Sequence, residues 1–279
     1  MVAQRTATAD SSNNARQERQ LVVGAVADGG GSRVLSHIGA RLAANLAASL
    51  MTARWEAEGF CSASEADLES FWRALFTDCR NAIAHEAKLR SPPLGPAISP
   101  GDLACTLITF MATPERLAAA QVGDGFLVFS RQTAVSDDDE GHELMFRNRD
   151  TEEAGQVVWI TASNWADDFR HGVRTGPLEM VLASTDGIEN VVLAAKAQAP
   201  GELVPHQRFF AALLKLMRKA SVKPGERAGA PDADLDRRLE KILSDPVFDE
   251  HVDDDKSMAL AFLPAEGHAL DASETSPNA

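Results

Sequence analysis

Apolar residues fall along the chain in short unbroken runs, short alternations and two long helical stripes. Leu21 to Ala27 is an unbroken run, the pattern of a strand buried on both faces, and Asp28-Gly29-Gly30-Gly31 ends it. Leu42, Leu46 and Leu50 recur at helical spacing and predict a helix over 36–58 that Gly59 stops. A second helix is predicted over 65–89, with Leu68, Phe71, Leu75, Cys79 and Ile83 on its apolar side and Ser64 placed as N-cap. A loop rich in Pro, Ser and Gly fills 91–101. Strands then crowd together over 103–112, 116–122 and 126–131, joined by the hairpin-length turns Thr113-Pro114-Glu115 and Gly123-Asp124-Gly125. An acidic turn over 136–141 reads as a solvated loop. Further strands are predicted over 143–148, 156–161, 178–184 and 258–263, and helices over 205–219 and 235–243. Residues 1–20 form a loose polar segment, 221–234 a mobile connection and 264–279 a disordered tail, leaving 21–263 as one domain. No internal repeat is visible. Crowded strands with helices inserted early and late do not alternate as a parallel doubly wound sheet does. The fold class expected is α+β, with sheets covered by helices.

Composition narrows the function. The 279 residues include 27 basic and 41 acidic side chains, a net charge of −14. Phosphate backbones select basic surfaces, so nucleic acid is not the expected partner. No apolar stretch approaches the ~20 residues of a membrane span, and the polar N-terminus lacks the apolar core of a signal peptide. Cys61, Cys79 and Cys105 show no metal-like spacing and read as free thiols in a reducing cytoplasm.

The chemistry concentrates at four aspartates where apolar runs meet turns: Asp28, Asp124, Asp186 and Asp254. Three follow a strand-like run and Asp254 precedes one. Any single Asp-Gly is ordinary turn chemistry, because Asp accepts backbone hydrogen bonds and Gly takes positive φ. Carboxylates delivered together by strand ends repel unless a cation lies between them. Hard divalent ions take carboxylate, carbonyl and water oxygens, and Asp28-Gly29-Gly30-Gly31 offers a carboxylate beside a backbone carbonyl that no side chain hides. Two such ions ~3.5–4 Å apart can clamp a phosphoryl oxygen and activate water for in-line attack, with no protein nucleophile. Other chemistries lack their motifs: GxxxxGK[ST], the kinase signatures, GxSxG and HExxH are all absent, and the seven histidines are scattered.

The motifs AVADGGGS, QVGDGFLVF, LASTDGIENVV and DDKSMALAF resemble, in order and spacing, four elements of the metal-dependent serine/threonine protein phosphatases (PPM, type 2C). The Gly-Ser after Asp-Gly and the closing DDKS are most similar to a bacterial subgroup, and the resemblance covers roughly residues 5–263. It implies an αββα sandwich of two mainly antiparallel sheets flanked by helices. It also implies hydrolysis of phosphoserine and phosphothreonine on proteins, the targets of serine/threonine kinases, by a water activated on Mg²⁺ or Mn²⁺. Two ions and a weaker third are implied. Asp28 would bridge two metals, the Gly29 carbonyl would bind the second, Asp186 and Asp254 the first, and Asp124 would be accessory at the third.

Departures from the family pattern bear on activity. Arg5, a phosphate binder by resemblance, and Asp10, a further metal ligand, have the family's spacing, but Ala9 replaces the acid or amide expected before Asp10. The alternative is a tail that merely contains an Arg and an Asp. Only four residues precede Arg5, so the family's first strand is expected to be absent or shortened. Asn190 stands where many members have a third-site aspartate, and Gly30 where some have a histidine acting as general acid. Little room is left for a long flap between Asp124 and Asp186, and Ala104-Cys105 replaces a Gly-Thr. A catalytically weak or inactive pseudophosphatase that binds phosphorylated partners is the alternative function, and an unrelated α+β protein with incidental Asp-Gly turns a third reading.

Overall fold

A computed structural model of the chain describes residues 2–6, 21–132, 141–146, 157–196, 199–220, 233–244 and 255–263. The first sheet has five antiparallel strands in the order β1 (Val2–Thr6), β2 (Leu21–Val26), β3 (Leu107–Thr113), β4 (Arg116–Val122) and β7 (Arg170–Thr175). The second has the order β11 (Met258–Phe262), β8 (Leu178–Ser184), β5 (Phe126–Arg131) and β6 (His142–Leu144), again antiparallel. A hairpin of β9 (Leu193–Lys196) and β10 (Ala199–Pro205) stands apart.

Strand alternation sorts the apolar residues into three layers. Leu21, Val23 and Ala25 of β2 meet helices α1 (Ser36–Arg54), α2 (Ala57–Ser62) and α3 (Glu65–Arg90). Val22 and Val26 face the other way and join Ile108, Phe110, Leu127, Phe129, Val181 and Ala261 between the sheets. Phe126, Val128, Met180 and Leu182 cover the outer face of the second sheet, against α6 (Gln207–Ala220) and α7 (Ala233–Leu243). The order is helix, sheet, sheet, helix, the αββα sandwich. Two single-turn helices, α4 (Trp165–Asp168) and α5 (Glu189–Val192), punctuate the site end.

Small residues let α1 lie close to its sheet. Its fully buried stripe is Ala43, Ala44, Ala47, Ala48 and Met51, while the predicted Leu42, Leu46 and Leu50 flank the seam half-buried. The predicted 36–58 helix divides at Trp55, whose extended backbone (φ −123°) separates α1 from α2. Ser64 caps α3 as expected, accepting from the Asp67 N–H at 3.1 Å, with Asp67 answering to the Ser64 N–H at 3.2 Å. The core of α3 also takes Trp72 and Phe76, and Phe71 is only half-buried.

Other expectations need correction. Residues 2–6 of the segment read as loose form the five-residue strand β1, with Arg5 paired to Val22, so the family's first strand is not absent and its shortening is the part of that expectation left standing. Residues 157–161 hold no strand, running irregularly to a turn at 160–161: Arg80 binds the Ile160 and Ala162 carbonyls, and the Ile160 N–H donates to the Cys105 carbonyl at 2.9 Å. The strand predicted over 143–148 is only His142–Leu144 among the described residues. Strand β7 went unpredicted because RHGVRT, a half-exposed edge, shows no apolar alternation. The hairpin β9–β10 was equally silent. The acidic turn at 136–140, the 221–232 connection and the 264–279 tail lie outside the described residues. Cys61, Cys79 and Cys105 are free, and burial pushes the Cys79 thiol up to about 12. No helix among the described residues is long and apolar enough to cross a membrane.

Candidate metal and active site

The acidic turns meet at one end of the sandwich because the strands that carry them are neighbours. Beyond β2, antiparallel pairing continues irregularly: the Asp28 N–H donates to Thr106 Oγ1 at 3.1 Å, and the Thr106 N–H returns to the Asp28 carbonyl at 2.8 Å. Gly29 bridges Cys105, and the Gly30 N–H donates to Ala104 at 3.0 Å. At Gly29 a Cβ would lie 2.8 Å from Ser36 Oγ and 2.9 Å from the Ser36 backbone, so only glycine fits against the start of α1.

Thr106 also touches the second acidic turn. It fills the space a Cβ on Gly123 would need, and Gly123 has φ +103°, a conformation that itself favours glycine. Gly123-Asp124-Gly125 crosses from β4 in the first sheet to β5 in the second. Phe126 pairs with Ser184, and two residues beyond that pair lie Asp124 on one strand and Asp186 on the other. Asp186 opens a single 3-10 turn (Asp186–Ile188), and its Oδ1 is fully buried. Thr185 anchors the approach to β11: its N–H donates to Ser257 at 3.0 Å and its hydroxyl to Asp255 at 3.3 Å. Asp254, the next residue back, lies outside the described residues, as do Asp10 and Ala9. The backbone of Arg5 is placed in β1; its side chain is outside the description.

Electrostatics bind these groups together. The Asp124 carboxyl is pushed up to about 6, first by burial and then by Asp186, Glu189 and Asp168. Sequence reasoning missed Glu189 and Asp168. Asn190 is exposed, while half-buried Glu189 beside it on α5 turns its charge toward Asp124. Asp168 accepts the Gly123 N–H at 2.8 Å and pairs with Arg170 at 4.0 Å. Trp159 also escaped notice: its ring lies 3.3 Å from where a Cβ on Gly30 would stand. Among the described residues, no three acidic, His or Cys side chains form a closed metal-binding group. The donor types nonetheless fit a hard cation: carboxylates strained by one another's charge, beside a glycine carbonyl in a cradle closed to any side chain.

The raised Asp124 has a measurable consequence. With its folded value near 6 above the ordinary 3.8, the fold favours the protonated form, so stability is full below pH 4 and is lost as pH rises through 6. In metal-free buffer, Asp124→Asn should therefore match wild type at pH 4 and exceed it by about 2 kcal/mol above pH 6.5. Urea denaturation across that range in excess EDTA checks this; equal curves throughout would refute it.

The model of the family described as Protein phosphatase 2C matches residues 4–244, a span that begins within β1 and stops before β11. Serine/threonine-protein phosphatase 3 of Escherichia coli (strain K12) is 26% identical over 239 residues, covering 85% of this chain and 81% of that protein. The crystal structure of the serine/threonine phosphatase Stp1 from Staphylococcus aureus superposes with a TM-score of 0.54 at 13% identity, covering 94% of this chain and 95% of its own. The S. agalactiae serine/threonine phosphatase gives 0.51 at 13% identity, covering 94% and 100%. At such identities the structural likeness speaks for the fold, while the family match spans most of the sequence. Matched by that model from residue 4 to residue 244, on the fold its relatives share, the chain belongs to the protein phosphatase 2C family.

Proposed function

We propose that this phosphatase removes phosphate from phosphoserine and phosphothreonine on cytoplasmic proteins, undoing the work of serine/threonine kinases, at a site for two Mg²⁺ or Mn²⁺ ions and a weaker third. The observation that carries this is that the turns of Asp28, Asp124 and Asp186 adjoin at one end of the sheets, through Thr106 and the Phe126–Ser184 pair, with Asp124 pushed up first by burial and then by Asp186. Asp28, the Gly29 carbonyl, Asp186 and Asp254 would hold the two main ions, with Asp10 added at the second. Asp124 would serve the third, where Glu189 supplies charge that Asn190 lacks. Bound there, divalent ions supply a water of lowered pKa and neutralise the phosphoryl oxygens.

The chain's own part is to hold and orient. Arg5 suits the phosphate oxygens through its bidentate fork. Gly30 presents no acid, so the leaving alkoxide takes its proton from solvent. Trp159 walls the site beside Gly30. The alternative of an inactive phospho-binding scaffold finds no support in the matches, which are to phosphatases.

Manganese titration with p-nitrophenyl phosphate and a phosphothreonine peptide tests the reading. Hydrolysis should fall to background in excess EDTA and return on adding Mn²⁺. Full turnover in EDTA would overturn it.

A further inference from the structure

Gln121, the last polar residue of β4 before the Asp124 turn, is fully buried, and its odd position points it between the sheets alongside Leu117 and Ala119. Its side-chain amide nitrogen donates to the Gly123 carbonyl at 3.0 Å and also to the Gly125 carbonyl. It therefore grips the backbone on both sides of Asp124 from within one strand end. The same turn is held from the other side: Asp168 accepts the Gly123 N–H at 2.8 Å, and Arg170 donates to the Gly123 carbonyl. Gln121 Oε1 makes no hydrogen bond among the described residues. Burying an amide with one end unsatisfied is costly, so stability alone would favour an apolar residue in this layer.

We infer that Gln121 is a positioning residue for cation binding at Asp124, fixing the Gly123-Asp124-Gly125 backbone so that the carboxylate is presented toward Asp186 before any ion arrives. This rests on the reading of Asp124 as an accessory ligand. The grip is needed because the turn is weakly self-determined. Two glycines flank the aspartate, and besides its burial the charges of Asp186, Glu189 and Asp168 oppose its ionised form where it stands. A turn free to swing would relieve that repulsion and withdraw the ligand. Groups that orient a metal ligand typically cost about 10- to 100-fold in affinity when removed.

The test is Mn²⁺ binding to the full-length, metal-free protein without substrate, read by the electron paramagnetic resonance of unbound Mn²⁺. Gln121→Met keeps the length and removes both donors; Gln121→Leu serves if the first does not fold. The weakest Mn²⁺ site should lose at least about 10-fold in affinity, with tighter sites unchanged. Asp124→Asn should remove the same site, and the double variant should bind as Asp124→Asn does. An unchanged weakest site overturns the proposal, as does an equal loss at every site accompanied by a lowered melting temperature. Wild-type protein that binds no Mn²⁺ would overturn the metal reading as well, and so is distinguishable from failure of the Gln121 assignment alone.

Discussion

Asp186→Asn is expected to lower manganese-supported hydrolysis of a phosphothreonine peptide by on the order of 10³-fold, a barrier increase of about 4 kcal/mol. The two side chains have nearly the same shape, so the fold should persist. What changes is charge at a buried oxygen at the end of β8, next to the Asp124 turn. Replacing one carboxylate by an amide keeps the shape and removes the charge that attracts a hard cation. Since Asp186 is among the neighbours that push Asp124 up, its removal should also return Asp124 toward its ordinary range. Asp78→Asn, at an exposed position on α3, is the control and should be neutral. An Asp186→Asn protein that keeps more than a tenth of wild-type turnover would remove Asp186 from the site.

The second large effect is on stability. Gly39→Ala would ordinarily strengthen a helix by about 1 kcal/mol. Here a Cβ would be driven into the Leu103 carbonyl oxygen and within 2.9 Å of its carbon, and both are backbone atoms. Leu103 ends the single 3-10 turn Pro100–Leu103, itself closed by Ser99 and Asp102, so it cannot easily retreat. The net expectation is a loss of about 3 kcal/mol, or roughly 6–12 °C in melting temperature. Gly59→Ala, where the nearest atom is 4.0 Å away on Trp55, should be neutral or slightly stabilising. The opposite sign at Gly39 would show that α1 is not seated as described. Activity should suffer too, because Ser36 at the start of the same helix forms the wall of the Gly29 cradle.

Much of this was legible in the sequence where local chemistry and burial agree. Ser64 followed by Asp67 announces the start of α3, and the runs at 21–26, 116–122 and 178–184 announce strands buried on both faces. The Asp-Gly turns stood out for the same reason, since each interrupts an apolar run. What escaped had no local signature. Edge strand β7 needs no apolar pattern, and Val2–Thr6 is a strand only because β2 offers it an edge. Glu189 was passed over in favour of Asn190 because a motif aligns positions along the chain, whereas charge acts across space. Gln121 reads as one polar residue in a strand until the turn folds back over its amide.

Among the described residues strand β11 pairs with β8 alone, and β8 leaves the ribosome some seventy residues earlier. Until residues 258–262 are made, one side of β8 presents a row of unpaired N–H and C=O groups in a strand of Leu, Met and Val, the kind of edge that recruits other chains. The outer face of the strand is covered first, by α6 and α7, but a helix cannot satisfy those groups. During translation this edge therefore stays open until the last strand is made, and only then does the second sheet close on that side.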